Sequence, residues 1–348
     1  MSSAPGKLVL FGEYAVLEGA SALVCAVDRR ARIRYEASDS PTLTLDAYPL
    51  GLKDFILRRD GVAPDTSRSD RRAGLVYAVL AELERAYPTA MERFVGGRLE
   101  IDTTEMSLAH GGAKLGVGSS AAVAVALVGG IGLSLTDQPM TESQIFEVAQ
   151  RAHLAFQGGR GSGVDIAAAS MGGVLSFQRM SERGALTRAS RPWPEGLQWQ
   201  VVGTGHSAST ADFLTALRSF KENKPNDFNA LMGQMCEFAN GVAEAERGDW
   251  VEWTLRWCEF LEKLGRAIGA SIMSEKHRYF RDIALKYGLG YKPSGAGGGD
   301  AGFFVIPEQR SLDEVRTLLT TNNIHMLPIS LDPNGVQVEC LESPELQG

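Results

Sequence analysis

The sequence predicts an α+β protein of two domains. Three observations lead there. The chain has 348 residues, more than one hydrophobic core usually serves. Strand-like and helix-like segments mix along it without a strict β-α-β alternation. The stretch RPWPE at 191–195 reads as a boundary between them. The expected division is 1–190 and 191–348.

Taken in chain order, residues 7–17 are apolar around a Gly-Glu-Tyr break and read as a strand turning sharply at Gly12. Residues 23–27 and 31–35 read as two further strands, the second alternating Arg32, Ile33, Arg34, Tyr35. Residues 42–45 and 99–102 add two more. Residues 71–87 place Leu75, Val76, Val79, Leu80 and Leu83 at helical spacing. Residues 119–133 are almost wholly small and apolar, which predicts a buried helix. Residues 142–156 predict a helix opened by Thr141 and Gln144 as a capping box. A strand follows at 173–178. Beyond the boundary come a strand at 198–203 and helices near 210–221, 227–246, 250–268 and 274–287. The chain then reads strand 301–306, helix 312–320, strand 325–330 and strand 336–341.

Composition narrows the function classes. Hydrophobic residues make up 44% and charged residues 22%, ordinary values for a soluble globular protein. The net charge of −7 disfavours nucleic acid or an anionic membrane as the main partner. The N-terminus lacks a signal-peptide pattern, and no apolar run approaches the roughly 20 residues that span a bilayer. A cytoplasmic protein is expected. Cys25, Cys236, Cys258 and Cys340 stand apart with no zinc spacing, so they read as buried, reduced thiols. The five histidines, His110, His153, His206, His277 and His325, show no triad or metal spacing.

Chemistry concentrates in three glycine-rich segments. GVGSSAA at 116–122 leads straight into the apolar helix. Glycines let the backbone approach an anion, and a helix N-terminus offers unpaired N–H groups and a positive dipole end. Ser119 and Ser120 add hydroxyls. The segment lacks the Gly-Lys-Ser/Thr of a Walker A loop and the third glycine of GxGxxG. A plain strand-to-helix turn with a serine cap is the other reading. GGRGSGVDIAAA at 158–169 sets Asp165 at a helix start, as either a cap or a functional carboxylate. SGAGGGDAG at 294–302 has five glycines in nine residues. That costs backbone entropy unless the conformation is needed.

Together these segments resemble the three motifs of the GHMP kinases. APGKLVLFGEYAVLEG (4–19), KLGVGSSAA (114–122) and SGAGGGDAGFFV (294–305) occur in the family's order and spacing. Within the family, GEYAV, Lys114 before GVGSS, GSGVDIAAA and TGHSAST (204–210) resemble the phosphomevalonate kinases more than the mevalonate kinases. The resemblance implies an N-terminal domain like ribosomal protein S5 domain 2, a ferredoxin-like C-terminal domain and an active-site cleft between them. Mevalonate kinases, diphosphomevalonate decarboxylases and non-catalytic sugar sensors share this fold.

The resemblance also implies roles. ATP would be held by Gly116, Val117, Gly118, Ser119, Ser120 and Ala121, with Mg²⁺ on Ser119 or Ser120. Lys7, Lys114 and Asp165 would be catalytic. The acceptor, phosphomevalonate or a related acid, would meet Lys7, Ser162, Gly163, Asp165, His206, Ser209, Gly295, Ala296 and Gly297. Two departures stand out. Gly112 replaces the proline that opens the second motif in many members. Leu154, beside His153, occupies the place of the glutamate that holds Mg²⁺ in mevalonate kinases.

Overall fold

A computed structural model describes residues 1–340 apart from 39–41, 58–70, 93, 95, 108–114, 137, 160, 181–184, 194, 207–209 and 246–247. Lys114, Ser209, His110 and Gly112 therefore lie outside the described residues. The elements run β1 (Ser2–Phe11), β2 (Ser21–Ala37), β3 (Leu43–Ala47), β4 (Leu52–Leu57), α1 (Gly74–Ala86), α2 (Pro88–Glu92), β5 (Gly97–Asp102) and α3 (Ser119–Leu135). Next come α4 (Glu142–Phe156), α5 (Val164–Met171), β6 (Val174–Met180), β7 (Ala185–Arg191), β8 (Gln198–Gly203), α6 (Thr210–Asn223) and α7 (Pro225–Glu244). The chain continues with α8 (Trp250–Ile268), α9 (Glu275–Tyr287), β9 (Gly290–Pro293), β10 (Ala301–Ile306), α10 (Leu312–Thr321) and β11 (Gln337–Val338).

Among the described residues the strands form two sheets. The first has the order β11-β1-β2-β5-β3-β4, with β6 pairing β2 and β7 pairing β6. All its pairs are antiparallel except β3 with β5. Helices α3 and α5 pack on β1 and β2, with α1 and α4 against α3. Helix α3 is buried on nearly every side, as its run of alanines and valines requires. The second sheet, β8-β10-β9, is antiparallel and carries α8 and α9. An aromatic cluster joins the two layers. The rings of Phe238, Trp250, Trp253 and Trp257 lie 5.4–6.5 Å from that of Phe11 at the end of β1.

Several expected boundaries change. Strands 23–27 and 31–35 are one strand, β2, that runs through Asp28, Arg29 and Arg30. This charged stretch is tolerated because Arg30 donates to Asp332 Oδ2 (2.5 Å), Ser3 O (3.1 Å) and Gly335 O (2.7 Å). The first strand ends at Phe11, and residues 15–18 form a 3₁₀ turn. Strands β4, β7 and β9 and the short helix α2 were not foreseen. The strand expected at 325–330 reduces to a bridge between Met326 and Val202. The one expected at 336–341 is only β11, which pairs with β1 in the first sheet. Helix α4 matches its expected span, and its capping box is present: Thr141 N–H donates to Gln144 Oε1 at 2.8 Å. The thiol expectation holds for buried Cys25 and Cys258, whose pKa values burial pushes up to about 12. It fails for Cys340, which is exposed. No helix among the described residues is long and apolar enough to cross a membrane.

Candidate active site

The three glycine segments converge around β1. The β1–β2 register shifts between Pro5 and Gly6. A side chain at Gly6 would lie 2.6 Å from Val117 O. Glycine there lets the 116–118 loop lie directly on the strand, and Lys7 N–H donates to Val117 O at 2.8 Å. The strand so held carries the Lys7 side chain, itself buried, to within 3.4 Å of Asp165 Oδ1. Asp165 sits in the first turn of α5, behind Gly163 in the left-handed region at φ +88. Gly118, the residue preceding α3, is also left-handed, at φ +76. A Cβ there would lie 3.1 Å from Lys7 Cε and 3.7 Å from Asp165 Oδ2. The N-termini of α3 and α5 thus face the same lysine. Gly295 lies on its other side, where a Cβ would be 3.7 Å from Lys7 Nζ.

Other candidates are placed less directly. Ser162 Oγ accepts Val164 N–H at 3.3 Å, a local turn at the start of α5. The side chains of Val117 and Ala121 are buried in the core, so each can offer a ligand only its backbone. Gly297 packs onto Ile272, where a Cβ would lie 2.6 Å from the Ile272 carbonyl. The His206 side chain is exposed, and its carbonyl accepts Asp300 N–H at 2.6 Å. Asp300 in turn meets the second motif, since a Cβ at Gly116 would lie 2.3 Å from Asp300 Cβ. The third segment therefore touches Lys7 at its start and the 116–118 loop at its end.

Residue 74 to residue 173 match the "GHMP kinases N terminal domain" family. This stretch of the chain is thus a GHMP kinase N-terminal domain. The chain is 29% identical to the phosphomevalonate kinase of Streptomyces sp. (strain CL190), covering 95% of this chain and 96% of that one. The mevalonate kinase of Pyrococcus abyssi (strain GE5 / Orsay) is 27% identical, with 97% of each covered. Streptococcus pneumoniae phosphomevalonate kinase, solved in complex with phosphomevalonate and AMPPNP, superposes with a TM-score of 0.77 at 20% identity. That match covers 95% of this chain and 99% of the other. The fold is that of the GHMP kinases, and this protein is a small-molecule kinase.

In this kinase the first and third motifs are fastened together by groups that motif reading did not single out. Tyr14, between Glu13 and Ala15 in the first motif, donates its hydroxyl to Ala296 O at 2.5 Å. Val9 N–H donates to Ser294 Oγ at 2.8 Å. Lys292 Nζ pairs with Glu13 Oε1 at 2.5 Å and also donates to Val9 O and Pro293 O. Trp257 Nε1 donates to the other Glu13 oxygen at 2.7 Å. Burial pulls the Lys292 ammonium below its usual pKa, and Glu13 partly offsets this. Each of these residues except Trp257 lies in or beside a quoted motif, but adjacency in sequence does not reveal a cross-motif partner.

His277 braces the same glycine loop from behind. It is fully buried, with Nδ1 2.7 Å from the Tyr291 hydroxyl and Nε2 3.0 Å from Gly299 O. Burial pulls its imidazole pKa from 6.5 down to about 4. The folded value lies below the unfolded one, so between these values the unfolded chain binds more protons. Stability from the neutral ring is fully present above pH 6.5 and is lost as pH falls toward 4. We expect His277 to make the protein about 2 kcal/mol less stable at pH 5 than at pH 7.5. Thermal melts of wild type and His277→Gln at both pH values check this. An unchanged pH dependence in the variant would assign the effect to other groups.

Proposed function

We propose that this kinase transfers the γ-phosphoryl group of ATP to the phosphate of phosphomevalonate, giving diphosphomevalonate. The observation that best supports phosphoryl transfer is Lys7 Nζ lying 3.4 Å from Asp165 Oδ1, beside the N-termini of α3 and α5 and beside Gly295. Phosphoryl transfer needs in-line positioning and charge neutralisation more than covalent chemistry. A buried lysine aimed by a carboxylate and flanked by two helix N-termini supplies both.

In this reading residues 116–121 hold the ATP phosphates, Val117 and Ala121 through their backbone. Lys7 neutralises charge on the transferring group, and Lys114 assists it. Ser162, Gly163, His206, Ser209, Gly295, Ala296 and Gly297 line the acceptor side, Gly297 by setting the loop on Ile272. A phosphomonoester has a second pKa of about 6 and is already ionised at pH 7. Asp165 then works chiefly by holding Lys7 and the acceptor in place. We also assign 1–190 to an ATP-binding domain and 191–348 to a C-terminal domain, whose residues 337–338 return to pair with β1.

Among the described residues no group of three or more His, Cys, Asp or Glu side chains is arranged to hold a metal. The hydroxyls of Ser119 and Ser120 at the start of α3 are hard oxygen donors. They fit Mg²⁺, which takes few protein ligands and keeps substrate phosphates and waters. When bound, Mg²⁺ would neutralise phosphate charge at that helix end.

The features that favour phosphomevalonate over mevalonate are GEYAV and GSGVDIAAA, together with the full-length likeness to the Streptomyces enzyme. The mevalonate kinase relatives of nearly equal identity support mevalonate as the second reading. A coupled ADP-release assay against both acceptors separates them. We expect kcat/KM for phosphomevalonate to exceed that for mevalonate by at least roughly 100-fold, since a site built for a phosphate rejects an analogue lacking it. A preference for mevalonate would overturn the assignment.

A further inference from the structure

The third helix packed around the phosphate loop contributes a residue that nothing above uses. Helix α4 ends beside α3, and its His153 is 5% exposed. Its Nε2 lies 3.0 Å from Ser120 Oγ. It is the neighbour of Leu154, the residue in the glutamate's place, that bonds the loop. Burial lowers the imidazole pKa, against the opposing pull of the nearby Asp165 charge.

We propose that His153 is a positioning residue of the nucleotide site, fixing the Ser120 hydroxyl in one rotamer for the ATP phosphates. The proposal rests on the reading of residues 116–121 as the phosphate loop. A serine hydroxyl rotates freely among three staggered positions, and each carries its donor and lone pairs in a different direction. A hydrogen bond from outside the helix removes the choice before the nucleotide arrives, so less rotamer entropy is lost on binding. Whichever partner supplies the proton, the oxygen is held at the same place. The capping box that starts α4 and the packing of α1 and α3 against it keep the backbone carrying His153 rigid. This makes the hydrogen bond a fixed strut and not an adjustable contact.

A double-mutant cycle tests the idea without relying on turnover. Binding of a fluorescent ADP analogue is measured in EDTA for wild type, Ser120→Ala, His153→Ala, His153→Gln and the double alanine variant. His153→Ala and Ser120→Ala are each expected to weaken binding about tenfold. The double variant should lose about tenfold as well, not 100-fold, because the two groups act as one. His153→Gln, whose amide reaches a similar position, should recover most of the affinity and remain usable if the alanine variant folds poorly. Additive losses, or wild-type affinity in His153→Ala, would overturn the positioning role while leaving the nucleotide site intact. Failure of the wild type to bind the analogue would overturn the nucleotide reading and this inference with it.

Discussion

Lys292→Met is expected to destabilise the protein by on the order of 3–5 kcal/mol, because it strands a buried carboxylate. Lys292 is fully buried and Glu13 is 5% exposed. Among the described residues Lys292 is the charged partner of Glu13, while Trp257 Nε1 supplies a neutral donor. Without Lys292 the carboxylate must take up a proton or draw water into the seam, and both are costly. The Val9 and Pro293 carbonyls lose a donor too. In a thermal melt the loss should read as a drop on the order of 5–10 °C. The informative comparison is Glu13→Gln with Lys292→Met, which removes both charges. It should be clearly more stable than the sum of the single changes predicts, since neither charge is left unpaired. Additive losses would mean that the two side chains are not coupled. The same pair ties the segment after β1 to β9, so the seam between the first and third motifs is expected to stay closed through turnover.

Gly116→Ala should lower kcat/KM at least roughly 100-fold, through misplacement of the phosphate loop. Two effects add at this position. Its φ of +74 lies in the left-handed region that side chains resist. The new methyl would also sit 2.3 Å from Asp300 Cβ and 2.7 Å from its Cγ. Asp300 has little room to withdraw. Its N–H is held by His206 O at 2.6 Å, and its carbonyl accepts Thr204 N–H at 2.9 Å. The 116–118 loop must move instead, and Lys7 is bonded to it through Val117 O. Gly158→Ala is the control: it imposes the same kind of backbone strain at φ +65 with nothing within 4 Å of the new methyl. It should keep activity close to wild type. Steady-state kinetics on both variants decide the matter. Similar activity in the two would show that backbone strain, and not the contact with Asp300, sets the effect.

Much of this protein is legible without coordinates because its signals are local. The capping box of Thr141 and Gln144, the apolar run that becomes α3, and the glycine before each of α3 and α5 depend on neighbours in sequence. So does the choice of Lys7 and Asp165, since each lies inside a segment whose residue types match a known pattern. Tertiary structure decided the rest. Two strands became one because Arg30 finds Asp332 and Gly335 some 300 residues away. Residues 337–338 joined the first sheet because the edge of β1 was open to pairing. Motif position points to Leu154 and not to His153. Only the rotation of α4 against α3 determines which of two adjacent side chains meets Ser120. The chain alone thus determined the fold resemblance and the glycine segments that converge on Lys7, because helix starts, turns and glycine conformations are set by short-range sterics and hydrogen bonds. Which groups fasten those segments together, Glu13 with Lys292, Tyr14 with Ala296, Asp300 against Gly116, was decided by packing. Buried polar groups must find partners wherever the fold brings one within about 3 Å, and sequence separation places no limit on where that is.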